Sequence, residues 1–268
     1  MQSNPDRCFP LRDRVALVVG PGDGVGRAIC LRLAEDGADV AMGARTLPRL
    51  EALKTEIVAR GRRGLAVAAD ITDEAQAAAL VGRTVEALGR LDILVYNAIA
   101  QSAGFQDLAQ VTRAQLEASF LVNYHGAVIA SREAFRVMAP RRSGVILLIS
   151  SMVSKQGRFR MYAYPASKAA LENFARSFAW EAGEANVRVN AVTVGTTEDA
   201  RNVERFRRRA EATGVTFEQA MADKVNASPL RRLVKPEEVA SVVSFLASDG
   251  ASAMTGQAVN VTCGVEMR

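Results

Sequence analysis

Short, almost wholly apolar runs punctuate this chain at regular intervals: Val15–Val19, Val40–Met42, Leu65–Ala69, Leu91–Val95, Val145–Ile149, Val187–Val192 and Ala258–Val261. Each is too short for a helix and reads as a strand, and the wholly apolar Val145–Ile149 reads as a buried one. Between them lie stretches of helical period. Ala28, Ile29, Leu31, Leu33 and Ala34 form one apolar face, with Arg27, Arg32, Glu35 and Asp36 outside it and Gly37 suited to the helix end. Further helices are predicted over Leu50 to Arg60, Glu74 to Leu88 and Ala166 to Ala182. Thr112 to Met138 reads as two helices or one long bent one. Pro236, Glu237 and Glu238 suit the first turn of another. Alternating strands and helices predict an α/β class fold: a single-domain, Rossmann-type, doubly wound parallel sheet with helices on both faces. Residues 1–11 read as a tail before a domain spanning 12–268, and a charged, mostly helical insertion occupies about 196–230.

Composition changes this picture little. The chain has 268 residues, 49% of them hydrophobic, enough for a sizeable core. Formal charge is +5, mild for this length, and no nucleic-acid partner is expected. Part of the excess is local, with nine Lys/Arg against six Asp/Glu between Thr196 and Lys235. Cys8, Cys30 and Cys263 are scattered, without paired or metal-like spacing, so reduced thiols in a cytoplasmic setting and no metal site are expected. No apolar run approaches eighteen residues, and the first ten residues lack a signal-peptide core, so no membrane is expected.

Two stretches carry chemistry. Tyr164 and Lys168 stand four apart, on one helical face if the helix includes both. An ammonium beside a phenol favours the phenolate, and a phenol so tuned can act as a general acid/base. Ser151 follows the fifth strand, at the end where ligands of open α/β sheets gather. The second stretch is Gly20-Pro21-Gly22-Asp23-Gly24-Val25-Gly26, between the first strand and the first helix. Glycines there let the backbone approach a phosphate seated on the helix N-terminus.

Taken together, Gly20-x-x-x-Gly24-x-Gly26, Asp70-Ile71, Asn97-Ala98, Asn123, Ser151, Tyr164-x-x-x-Lys168, Arg188-Val189-Asn190 and Pro236-Glu237-Glu238-Val239-Ala240 resemble the short-chain dehydrogenase/reductase family from about Arg12 to Gly264. The resemblance implies hydride transfer between a nicotinamide cofactor and a small carbonyl or secondary-alcohol substrate, without a metal. It implies Tyr164 as general acid/base. Lys168 would lower its pKa and hold the nicotinamide ribose, and Ser151 would bond the substrate oxygen. Asn123 would hold a water linking Lys168 to solvent. By the same resemblance Asp70 contacts the adenine edge with Ile71 packed near it, and Asn97 and Ala98 line the adenosine ribose. It also makes the 196–230 insertion a substrate lid, and pairs the helices of Asn123 and Lys168 across a two-fold axis, giving a homotetramer or homodimer.

The chain departs from the family pattern around the cofactor. Val19 stands for a Thr, Tyr96-Asn97-Ala98-Ile99 for Asn-Asn-Ala-Gly, and Val194-Gly195 for Pro-Gly. Asp199 replaces a Thr that helps hold the carboxamide, with Thr196 and Thr197 nearby, and Thr262-Cys263-Gly264 replaces Asp-Gly-Gly. These departures motivate an alternative, a redox-inactive dinucleotide-binding sensor or scaffold of the same fold. After the second strand, where an acidic residue would bond the 2′-hydroxyl of NAD, stand Ala44 and Arg45. Arg45 suits a 2′-phosphate, so NADP(H) is favoured over NAD(H), although Asp23 would repel that phosphate. Among the remaining residues, His125 reads as helix packing rather than chemistry, and Tyr162 as pocket lining or helix cover. The Arg201, Arg205, Arg207, Arg208 and Arg209 run reads as a solvated helix face over buried Val203, Phe206 and Ala210, or as an attractor of anionic substrates. Phe105, Phe159, Met161 and Tyr162 suggest an apolar or aromatic carbonyl substrate.

Overall fold

The computed structural model describes residues 10–100 and 106–267. Most of the expected tail, Cys8 and Phe105 lie outside these described residues. Seven parallel strands are present: β1 (Val15–Val19), β2 (Asp39–Ala44), β3 (Gly64–Ala68), β4 (Ile93–Tyr96), β5 (Gly144–Ser151), β6 (Val187–Val194) and β7 (Ala258–Val261). They form one sheet in the order β3-β2-β1-β4-β5-β6-β7. The order reverses between β1 and β4, which opens a crevice above the C-terminal strand ends.

Side chains alternate between two cores because successive residues of a strand point to opposite faces. Ala16 and Val18 of β1, with Val145, Leu147 and Ile149 of β5, pack on helices α1 (Val25–Glu35), α2 (Leu47–Val58) and α9 (Pro236–Ala247). Val15, Leu17 and Val19, with Ile146 and Leu148, pack on α3 (Glu74–Leu88), α5 (Gly126–Met138) and α6 (Ala163–Glu184). This two-sided burial is why β1, β4 and most of β5 read as unbroken apolar runs.

Three elements differ from the sequence expectation in ways that matter for the site. The helix expected from Ala166 begins at Ala163, so Tyr164 and Pro165 lie in its first turn, where the missing proline N–H costs nothing. The stretch from Thr112 to Met138 is α4 (Arg113–Phe120) and α5 joined without a break by a π-turn over Leu121–His125, which contains Asn123. The insertion after β6 is two helices, α7 (Ala200–Thr213) and α8 (Phe217–Asn226). Among the described residues no helix is long and apolar enough to cross a membrane.

The end of the sheet remote from the crevice is held by Asp92, whose side chain is buried just ahead of β4. It accepts hydrogen bonds from Val15 N–H at 2.9 Å, from Arg90 Nε and Nη2 at 2.7 and 2.8 Å, and from Arg141 Nη2 at 2.6 Å. Burial pushes its carboxyl up, but the Arg90, Val15 and Arg141 hydrogen bonds outweigh that and hold it below the ordinary value. A pKa lower in the folded than in the unfolded chain contributes stability above about pH 4 that fades as pH falls through the folded value. Asp92→Ala should therefore cost about 3 kcal/mol at pH 7, because it strands two guanidinium groups and a buried N–H. Urea unfolding at pH 7 and pH 3 checks this: the gap between variant and parent should narrow at the lower pH.

Candidate active site

A cavity of 960 Å³ opens above the crevice. The glycine turn lines one side of it, the end of β5 and the start of α6 its floor, and α7 and α8 the opposite wall. Of the sequence-predicted residues, Gly20, Gly22, Asp23, Gly24, Val25, Gly26, Asn97, Ser151, Tyr164, Lys168, Val194, Gly195 and Thr196 all line it. Arg45, Asp70, Ile71, Ala98 and Asn123 are outside the lining.

Lys168 is the most constrained of these groups. It is almost fully buried, and its Nζ donates to the Ile149 carbonyl at 2.7 Å. Burial lowers its pKa to about 7; Glu172 pulls it upward and Arg201 adds to the fall. Glu172 is itself buried, one further helical turn along the face that carries Tyr164 and Lys168. Its Oε1 accepts from Ser154 Oγ at 2.6 Å and from Thr193 Oγ1 at 2.8 Å. The sequence reading missed Glu172, although its spacing of four from Lys168 was a usable signal.

Tyr164 is buried against Met152 and Val153. Ser151 ends β5, half-buried, and its hydroxyl forms no hydrogen bond among the described residues. Ser150 faces the helix instead, donating to the Lys168 carbonyl at 3.4 Å.

Asn123 is buried in the π-turn, a helix irregularity that recurs at functional sites. Its Oδ1 accepts from Ala100 N–H and its Nδ2 donates to the Ala100 carbonyl, both at 2.9 Å. Nδ2 also lies 3.0 Å from Ser167 Oγ, which donates to the Tyr164 carbonyl at 2.8 Å. Asn123 thus ties the segment after β4 to the turn of α6 between Tyr164 and Lys168. Tyr96, in place of the family's Asn, is buried and donates to the Val122 carbonyl at 2.5 Å, holding the π-turn to the end of β4. Gly126 leaves room for that hydroxyl, since a Cβ there would meet it at 2.5 Å.

The glycine turn is close-packed where it touches protein and open toward the cavity. A Cβ on Gly20 would lie 2.5 Å from Ala98 Cα, and one on Gly26 would lie 2.6 Å from Pro21 Cα. Gly20 also has φ of +73°. Asn97 Nδ2 donates to the Gly20 carbonyl at 2.6 Å. Gly22 faces open space. Helix α1 starts at this turn with no side-chain cap and no acidic residue in its first turn. Exposed N–H groups at a helix N-terminus, approached by glycines, fit a dinucleotide's diphosphate. Gly195 keeps its place because a Cβ would press 2.9 Å from Thr262 Cα.

Two acids flank the turn. Asp23 is exposed, with Arg49 Nη1 at 3.7 Å. Arg49, which lines the cavity and was not picked out from sequence, offsets the repulsion expected from Asp23. Asp199 Oδ2 would lie 2.9 Å from a Cβ on Gly24. Its charge is shared by hydrogen bonds from Thr197 Oγ1 at 2.6 Å and Asn202 N–H at 2.9 Å, the latter capping α7. Arg45 is exposed at the start of α2, near enough to Asp70 to favour its carboxylate. That carboxyl is held below its ordinary value first by hydrogen bonds from Thr72.

Of the remaining candidates, Phe159 and Met161 line the cavity, whereas Tyr162 and His125 do not. His125 is exposed and meets Tyr124 edge-on, rather than packing inside a helix interface. The arginine run is divided: Arg201, Arg205 and Arg209 line the cavity, while Arg207 and Arg208 are exposed outside it, Arg208 pairing with Glu204.

The short chain dehydrogenase family profile matches residues 14–210. The chain is 36% identical over 258 residues to versicolorin reductase 1 of Aspergillus parasiticus, covering 95% of this chain and 97% of the relative. A variant of actinorhodin polyketide ketoreductase, solved with NADPH, is 30% identical with a TM-score of 0.87, covering 94% of this chain and 97% of that one. An NAD+-bound xylitol dehydrogenase is 26% identical with a TM-score of 0.89, covering 95% and 99%. With one family profile spanning its nucleotide-binding half and its Tyr–Lys helix alike, the chain belongs to the short-chain dehydrogenase/reductase family and is a nicotinamide-dependent oxidoreductase.

Proposed function

We propose that the protein interconverts a carbonyl compound and a secondary alcohol with NADP(H), with Tyr164 as general acid/base. The observation that carries this reading is the convergence of Ser151, Tyr164 and Lys168 on the same cavity as the uncapped glycine turn. A nicotinamide dinucleotide bound there supplies the hydride in reduction and takes it up in oxidation. Gly22 and the first N–H groups of α1 receive its diphosphate, and Lys168 lies within the same cavity to hold its ribose. Ser151 donates to the substrate oxygen and aligns it with Tyr164. In reduction Tyr164 gives its proton to that oxygen as negative charge develops there. The Lys168 ammonium stabilises the phenolate that remains, and Glu172 keeps the ammonium charged where burial would discharge it. Asn123 holds Tyr164 and Lys168 in register through Ser167, and we assign the relay of protons from Lys168 toward solvent to its neighbourhood.

The preference for NADP(H) rests on Arg45, exposed just ahead of α2, and on Arg49, which lines the cavity beside Asp23. The helix pair carrying Asn123 and Lys168 exposes Leu116, Leu121 and Trp180, which suits assembly into a homo-oligomer.

Loss of 340-nm absorbance on adding NADPH to a panel of carbonyl compounds tests the activity. Tyr164→Phe should lower kcat by about 10²–10⁴-fold, the usual weight of positioned general acid catalysis; unchanged turnover removes Tyr164 as the general acid, and no turnover by the parent enzyme overturns the reading in favour of a binding protein. Tyr164 and Lys168 share one face of α6, and with Tyr164 as general acid the pair carries the proton that reduction needs. In Glu172→Gln the pair should release its first proton at lower pH, so the alkaline limb of kcat/KM for reduction moves downward; a limb that stays put removes Glu172 from this role. For the cofactor, Arg45→Ala and Arg49→Ala should each shrink the NADP-to-NAD ratio of kcat/KM by about tenfold or more, the weight of one charge-assisted hydrogen bond. A ratio unmoved in both variants would assign the preference elsewhere.

A further inference from the structure

Five cations line the wall of the cavity that faces Tyr164: Arg158 from the segment after β5, Arg201, Arg205 and Arg209 from α7, and Lys224 from α8. Arg201, Arg205 and Arg209 recur every four residues, so they share one face of α7. Arg209 is paired with Asp223 at 2.7 Å. Among the described residues none of the other four forms an ion pair with a carboxylate. Arg158 and Lys224 are half-buried, and Arg158 Nε is buried without a hydrogen-bond partner.

Like charges lie close together here. Burial lowers the pKa of Lys224, the neighbouring Arg158, Arg205 and Arg209 lower it further, and Asp223 acts in the opposite sense. Arg205 is lowered by burial and then by Arg201, while Asp199 and Tyr164 act in the opposite sense, which places Arg205 within electrostatic reach of the Tyr164 phenol. Arg201, Arg205 and Arg209 are exposed, as are Arg207 and Arg208, but unlike those two they line the cavity, together with the half-buried Arg158 and Lys224. The diphosphate does not account for them. Its seat is the glycine turn, whereas Arg158 and Lys224 belong to the substrate wall with Phe159 and Met161.

Building on the proposed oxidoreductase activity, we propose that Arg158, Arg205 and Lys224 form a subsite for an anionic group, a carboxylate or a phosphate, on the carbonyl substrate. Such a group neutralises the cluster and orients the carbonyl toward Ser151 and Tyr164, with guanidinium forks suited to planar bidentate contact. The same positive wall draws anionic substrates into the cleft, an attraction that weakens as salt rises.

The test has a binding arm and a kinetic arm. In the first, inorganic phosphate and succinate are titrated calorimetrically, with NADPH added, into the parent enzyme, Lys224→Ala, Arg205→Ala and Lys224→Arg. The parent and Lys224→Arg should bind one or both anions, and each alanine variant should weaken binding tenfold or more; which anion binds more tightly tells a carboxylate from a phosphate subsite. Equal binding by parent and alanine variants overturns the proposal, as does no binding by the parent. In the second, keto acids are compared with their methyl esters, and phosphorylated ketones with the free hydroxyketones. The parent should favour the anionic member of a pair at least tenfold in kcat/KM, less so at high salt, and the alanine variants should erase that ratio. A ratio unchanged by them overturns the subsite. If no compound turns over, the reductase reading fails, and the binding arm decides the anion site by itself.

Discussion

A buried ammonium is the constraint around which this site is built. Lys168 loses its hydration where α6 meets β5, and the Ile149 carbonyl at 2.7 Å replaces only part of it. An uncompensated charge there would simply shed its proton. Glu172, one turn further along α6, opposes that, and is held in place by Ser154 and Thr193 from the flanking segments. The phenol of Tyr164 then shares a face with a cation whose charge is balanced near neutrality, a condition for moving a proton in either direction.

Positioning follows from the sheet. Parallel strands of this order deliver β1, β4, β5 and β6 to one crevice, so a turn after β1 and a serine at the end of β5 become neighbours despite 130 residues between them. The π-turn at Asn123 is the fastening between these halves: it holds the Ala100 backbone on one side and Ser167 on the other. Tyr96 anchors that turn from below, which gives a physical meaning to the departure from Asn at this position.

Charge is unevenly distributed across the cavity. The glycine turn has acids at its rim, Asp23 offset by Arg49 and Asp199 by its hydrogen bonds, while the lid wall is strongly cationic. The departures from the family pattern are packed and hydrogen-bonded in place, as at Tyr96 and Asp199.

Much of this was legible in local pattern. Mainly apolar runs marked all seven strands, because the central strands are buried on both faces, and helical period marked the layers between them. The glycine turn and the Tyr164–Lys168 spacing were equally plain, since a tight turn and a shared helical face are properties of neighbouring residues. Other features depend on residues distant in sequence. The placement of Asp199 against Gly24 and of Arg49 against Asp23 comes from packing. So does the division of the arginine run, because helical spacing groups Arg201, Arg205 and Arg209 without saying which face of α7 turns inward. Lys224 and Arg158 joined them only when α8 and the segment after β5 closed over the cavity. Composition and spacing determined the scaffold and the shared helical face of Tyr164 and Lys168; the assembly of distant charges around them, set by long-range packing and burial, was decided in three dimensions.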